Sequence, residues 1–190
     1  TLLRPLIDDG LLPADARLTI HAVSGYSGRG REGVQAHEGP DAANAPALQV
    51  YGLGLDHKHT PEIQQLAGLT HAPVFVPAYG HYRQGIVLTI GLHRDALAGG
   101  ATPGRLMQCL RDRYAGSGRV RVVEPTPTLD PTVLNDTDGL NLSVHSDPRG
   151  ERIVLSAVFD NLGKGAAGAA LQNLSLMLGT RVVTASAVPA

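Results

Sequence analysis

Leu140-Asn141-Leu142-Ser143-Val144-His145, Asp147-Pro148-Arg149-Gly150 and Arg152-Ile153-Val154-Leu155-Ser156-Ala157-Val158-Phe159 follow one another late in the chain. Two β-prone runs rich in branched apolar residues flank an Asp-Pro-x-Gly turn signature, which reads as a hairpin. Its length suggests an antiparallel meander. Outward from it, Arg119–Val123 alternates until Pro125, and Val74–Val76 leads through Pro77 and Gly80 to a second strand over Gly85–Ile90. Earlier still, Arg17–Val23 alternates and then breaks into the glycine loop Ser24–Gly30, and Leu48–Leu55 reads as one further strand. Between these lie helical patterns. Leu2, Leu3, Leu6 and Ile7 are spaced as the tail of a longer helix ending at Gly10, and Pro103 opens a helix carrying Leu106, Met107, Cys109, Leu110 and Tyr114. A last helix spans Gly165–Leu178 and stops at Gly179, whereas residues 36–46 form an exposed connection.

Composition narrows the functional classes. The chain has 190 residues, 43% apolar and 17% charged, with a net charge of −1, the make-up of a globular domain with mixed α and β structure. Sixteen basic residues against seventeen acidic ones leave no basic footprint, so nucleic acid is not an expected partner. No apolar run approaches the ~20 residues that span a bilayer, so no membrane partner is expected, and the opening residues lack the pattern of a secretory leader. A cytoplasmic location is expected. The single cysteine, Cys109, cannot form an internal disulfide, and its place on the apolar side of a helix marks a small buried hydrophobe rather than a nucleophile.

Chemistry concentrates in His57-Lys58-His59-Thr60-Pro61-Glu62, at the end of a strand and the start of a helix. Thr60 suits a cap, Pro61 the first helical position and Glu62 the positive helix end, which accounts for those three without function. Two neighbouring histidines are left over. They could serve as a general acid/base oriented by a carboxylate, as metal ligands, or as surface polar groups. His21, His37, His71, His81, His93 and His145 add no companion ligand spacing, so no metal is expected.

Gly28-Arg29-Gly30-Arg31-Glu32-Gly33 matches G-x-G-x-x-G after a strand, but Gly39-Pro40 leaves no room for a continuous amphipathic helix, and no parallel βαβ unit is expected to follow. A turn offering backbone N–H groups and the Ser24 and Ser27 hydroxyls to an anion competes with an ordinary surface loop. Asp160-Asn161-Leu162-Gly163-Lys164-Gly165-Ala166-Ala167-Gly168 is a strand-to-helix connection. Asn161 and Lys164 could hold a ligand amide or anion there, or the small residues could serve packing alone.

Together, Val23-Ser24-Gly25-Tyr26-Ser27-Gly28, Gly54–Glu62, Tyr82-Arg83-Gln84-Gly85-Ile86 and Asp160–Asn173 resemble the N-acetyl-γ-glutamyl-phosphate reductases of arginine biosynthesis, in order and spacing over nearly the whole chain. The resemblance implies an α+β fold, a mixed and largely antiparallel sheet with helices on one face, as in the C-terminal domain of glyceraldehyde-3-phosphate-dehydrogenase-like enzymes. Residues 1–158 would bind substrate and form the oligomer, 159–180 would pack on a nucleotide domain, and 181–190 would be a tail. The family's Rossmann half and its catalytic cysteine lie outside this sequence, so this chain alone is expected to be inactive.

The implied reaction is NADPH-dependent reduction of N-acetyl-γ-glutamyl phosphate through a cysteine thioester. On that likeness His59 is the acid/base, Glu62 orients it and His57 is the second choice. Ser24, Tyr26, Ser27 and Gly28 would hold the small-molecule acyl phosphate, with charge from Arg31 or Arg83. Asn161, Leu162, Lys164 and Gly165 would approach the nicotinamide end of NADPH, itself bound mainly by the other half. A homo-oligomer, dimer or tetramer, is implied as well. A longer acyl phosphate such as the aminoadipate analogue, or a catalytically silent assembly domain, are the alternatives.

Overall fold

Seven strands form one mixed sheet in the computed structural model, which describes residues 1–179. Residues 180–190, including the expected tail, lie outside the described residues. The strands are β1 (Thr19–Gly25), β2 (Leu48–Val50), β3 (Val74–Gly80), β4 (Ile86–His93), β5 (Val120–Val122), β6 (Leu140–Ser146) and β7 (Arg152–Phe159), in spatial order β2-β3-β1-β4-β7-β6-β5. Four neighbouring pairs are antiparallel; β1–β3 and β5–β6 are parallel. The β6–β7 hairpin closes on the expected turn, where Gly150 takes φ +67° and its N–H donates to the Asp147 carbonyl (2.9 Å). Asp147 Oδ1 also accepts the Glu151 and Arg152 N–H groups.

The helices are α1 (Arg4–Asp8), α2 (Arg31–Glu38), α3 (His59–Ala67), α4 (Pro103–Tyr114) and α5 (Gly168–Leu178). Register puts Phe75, Ile20, Ile90, Leu155 and Val144 in one row across the sheet, with Pro77, Ala22, Leu88, Ala157 and Leu142 in the next. At the first of these rows the helices close the core, Leu6 of α1 and Leu106 and Leu110 of α4 being fully buried with Ile20, Ile90 and Leu155. Each such side chain stabilises the fold by about 1.5–3 kcal/mol. One row further, at Tyr79, Ser24, Ile86, Phe159 and Leu140, the same face opens into a cavity. On the opposite face Thr19, His21 and Gly91 are exposed and Val154 is 38% exposed.

Five sequence expectations change. The strand over Leu48–Leu55 stops at Val50, because Gly52 (φ +67°) and Leu55 (φ +60°) turn the chain away from the sheet. Residues 1–10 hold one short helix, Arg4–Asp8, with Pro5 in its first turn, where proline fits. The segment after Gly30 is an eight-residue helix, contrary to the expectation that Gly39-Pro40 left no room for one. Gly33 lets that helix lie against the Tyr26 carbonyl, where a Cβ would collide. A parallel pair also follows it, since β1 and β3 run side by side. Finally, the last helix begins as a π-helical turn over Gly163–Ala167 before the regular α5.

Candidate active site

Three segments distant in sequence meet around a cavity of about 770 Å³ at the open end of the sheet's core face. One rim is the loop after β1. The second is the entry to α3 together with Tyr51, and the third is the connection from β7 to α5. Of the expected site residues, Ser24, Ser27 and Gly28 line the first rim and His57, His59 and Glu62 the second. Asn161, Leu162, Lys164 and Gly165 line the third. Tyr26, Arg31 and Arg83 do not line the cavity. The Tyr26 hydroxyl donates to Glu38 Oε1 (2.9 Å) and Arg83 Nη1 donates to the same oxygen (2.7 Å), while Arg31 is exposed at the start of α2.

Helix α3 begins at His59, one residue before the expected Thr60 cap, and Lys58 is its N-cap without a side-chain bond. The cap function passes to His57, whose Nδ1 accepts the His59 N–H at 3.2 Å. That explains the first histidine of the pair. Its ring packs edge-on to Phe75 (5.0 Å) and near Tyr51 (5.7 Å), and burial, then His59 and Lys58, push its pKa down. His59 Nδ1 lies 2.6 Å from Glu62 Oε2, one helical turn on. Both side chains are more than half exposed, so the pair orients the ring and adds little stability.

On the third rim, Asp160 is fully buried. Its Oδ2 accepts from Gln84 Nε2 (3.2 Å) and the Asp136 N–H (2.8 Å), and its Oδ1 accepts the Leu162 N–H (2.9 Å). Asn161 bridges outward, with Oδ1 accepting the Gly85 N–H (2.8 Å) and Nδ2 donating to Ser27 Oγ (3.0 Å). Lys164 is half-buried, and burial, then Arg119, lower its pKa against the pull of Asp138. Cys109 is buried in α4 far from these segments in sequence, its thiol pushed up to about 11 by burial and by Asp9, which fits the non-nucleophilic reading.

Sequence reasoning missed two groups. Tyr51 and Tyr79 stack at 4.4 Å with near-parallel rings and wall the cavity beside His57, with the Arg29 guanidinium 5.9 Å from the Tyr79 ring. Two tyrosines 28 positions apart carry no sequence signal of contact. The second group is His37, buried and stacked on Tyr26 (4.5 Å), with Nδ1 3.0 Å from His81 Nδ1. Helix α2 places His37 there, and that helix was the element not foreseen. Among the described residues no group of three or more His, Cys, Asp or Glu side chains could hold a metal, and no helix is long and apolar enough to cross a membrane.

The profile of the semialdehyde dehydrogenase dimerisation domain matches residues 1–161. The chain is 54% identical over 183 residues to N-acetyl-gamma-glutamyl-phosphate reductase 2 of Pseudomonas putida, covering 94% of this chain and 58% of that protein. It is 57% identical over 186 residues to N-acetyl-gamma-glutamyl-phosphate reductase of Burkholderia cenocepacia, covering 95% and 59%. The chain thus spans less than two thirds of the relatives it matches. Its fold is similar to aspartate semialdehyde dehydrogenase II of Vibrio cholerae solved with ASA, at TM-score 0.69 and 18% identity, covering 95% of this chain and 59% of that one.

Proposed function

The chain belongs to the semialdehyde dehydrogenase dimerisation-domain family, and from that premise we propose that it is the substrate-binding and oligomer-forming part of a cytoplasmic, NADP-dependent N-acetyl-γ-glutamyl-phosphate reductase. The observation that carries this reading is the convergence of the histidine segment, the serine loop and the Asn161–Gly165 connection on one cavity. The reaction is reduction of an acyl phosphate to the semialdehyde. A thiolate from the part of the protein outside this chain displaces phosphate to form a thioester, and hydride addition then gives a thiohemiacetal that collapses to aldehyde and thiolate.

With Nδ1 engaged by Glu62, His59 has Nε2 for the reacting oxygen, donating a proton when the oxyanion forms and taking it back on collapse. Glu62 holds the ring in place through that contact. His57 fixes the first turn of α3 rather than transferring protons. Ser24, Ser27 and Gly28 supply the substrate wall, with Ser27 and Gly28 placed for its anionic groups. Arg83 and Tyr26, joined through Glu38, brace that loop.

The residues present fit the nicotinamide end of a cofactor. Gly165 has no side chain, Leu162 is 39% exposed on the cavity, and Lys164 brings a cation to the same rim. NADPH, when bound, supplies the hydride. Leu171, Leu174 and Met177 of α5 are 40%, 45% and 84% exposed, an apolar face suited to the nucleotide domain. The exposed sheet face around Thr19, His21 and Val154 is suited to a second copy.

The test is to express the full-length protein and follow NADPH oxidation with N-acetyl-γ-glutamyl phosphate. Activity is expected, with His59→Asn lowering kcat about 10²–10⁴-fold at unchanged thermal stability. Equal losses of stability and activity, or no turnover by the wild type, would sink the reading.

A further inference from the structure

Two serines face the cavity, and their hydroxyl protons are committed differently. Ser24 Oγ donates to the Gly25 carbonyl (3.1 Å), whereas Ser27 Oγ accepts from Asn161 Nδ2 (3.0 Å). A serine hydroxyl has one proton to give and two lone pairs to receive. The direction of the Ser27 bond is imposed from behind. Asn161 Oδ1 faces the Gly85 N–H, and a backbone N–H only donates, so the nitrogen end of the amide must face Ser27.

Gly85 itself is held firmly. It sits at φ +103°, a Cβ there would collide with the Pro131 carbonyl, and its own carbonyl accepts the Gly25 N–H (2.9 Å). The Ser27 N–H is also engaged, donating to the Arg83 carbonyl (3.0 Å). Ser27 is 7% exposed, lines the cavity, and makes no further hydrogen bond among the described residues. The remaining direction for its proton is into the cavity.

We propose that Asn161 is a positioning residue, fixed by Gly85, that turns the Ser27 hydroxyl into an obligate donor to an oxyanion of the bound substrate. The proposal rests on the reductase reading and deepens it. It gives Asn161 a role toward the acyl phosphate, where the family resemblance placed it at the nicotinamide. Ser24, its proton already given to Gly25, offers lone pairs at the same wall, so the two serines differ in polarity while sharing a loop.

Asn161→Asp is the diagnostic change. It keeps the side chain's size but presents an acceptor to Ser27, which then turns its proton away from the cavity. Ser27→Ala removes that proton outright and leaves the loop's backbone bonds in place. In the full-length enzyme each change is expected to raise KM for the acyl phosphate about 10- to 100-fold, the range for losing a hydrogen bond to a charged group. The KM for NADPH and kcat should move by less than about threefold, and the double variant should be no worse than either single one.

Inorganic phosphate provides a readout without turnover, and its Kd by calorimetry should weaken about tenfold in both single variants. Unchanged phosphate binding and unchanged acyl-phosphate KM in Ser27→Ala would overturn the proposal, whether or not Asn161→Asp folds. So would an Asn161→Asp effect confined to the NADPH KM, or multiplicative losses in the double variant. If the wild type binds phosphate through Ser27 but does not reduce the acyl phosphate, the reductase reading fails and the positioning role stands.

Discussion

The two flanks of the cavity are built on different principles. On the Asp160–Gly165 side a fully buried carboxylate gathers three donors from two other segments and its own loop, and its backbone carbonyl accepts the Gly165 N–H (2.8 Å). On the His59–Glu62 side the chemistry-bearing pair is exposed and tied by one short contact. A buried charge with several hydrogen bonds cannot be altered without stranding its partners, whereas an exposed ion pair can be lost at small cost. Framework and the proposed proton transfer thus fall on different walls, and substitutions should separate them.

The largest effect is expected from Asp160→Ala, which leaves the Gln84 amide and the Asp136 and Leu162 N–H groups without their acceptor. Urea unfolding of the full-length protein should show a loss of about 2–4 kcal/mol. A loss under about 0.5 kcal/mol would erase the contrast between the walls. Gly25→Ala comes next, since its Cβ would sit 2.5 Å from the Arg83 carbonyl and push the 82–85 backbone off the serine loop. A destabilisation of about 1–3 kcal/mol is expected, together with weaker substrate binding.

On the other wall, Glu62→Gln should change stability by less than about 1 kcal/mol while lowering kcat about tenfold or more. If the melting temperature falls in proportion to activity, Glu62 is part of the framework after all. The smallest effect concerns pH. Burial holds His37 below the ordinary histidine range, with His81 and Arg29 adding to it. The unfolded chain therefore binds more protons than the folded one once pH drops below about 6.5. Stability is full at neutral pH, declines as pH falls through that range, and levels off when the folded ring is itself protonated. His37→Gln should flatten part of this decline, and an unaltered slope would show that His37 does not titrate on unfolding.

The legible parts of the sequence were those with local causes. The β6–β7 hairpin follows from alternation and from Asp147-Pro148-Arg149-Gly150, and the start of α4 from Pro103, where the structure adds a cap, Thr102 Oγ1 accepting the Arg105 N–H. His59 and Glu62 were paired on the family likeness alone, and the structure brings them together at i and i+3 of a helix that starts earlier than expected. The family resemblance placed the Asn161 and Ser24 segments at one site, which periodicity could not, as they are joined only through tertiary bonds such as Asn161–Ser27. Helix α2 was missed because Gly39-Pro40 read as a break that left it no room, yet eight residues fit before that break and Gly33 allows close packing on the Tyr26 carbonyl. The capping bond from His57 Nδ1 to the His59 N–H was not foreseen, since an imidazole acting as a helix cap has no sequence signature of its own.

The position of β1 in the sheet has a consequence for how the chain is made. Within this chain β1 is the first strand in sequence, yet it lies between partners that come much later, Ile20 pairing with Phe75 on one side and Ile90 on the other. β4 in turn needs β7, joining Ile90 to Leu155. Contacts this distant along the chain close slowly, whereas the β6–β7 hairpin needs only its own turn. Synthesis in this order therefore completes the middle of the sheet only with β7, and products stopped before β3 expose β1 with both edges free, the condition under which strands pair with the wrong chain.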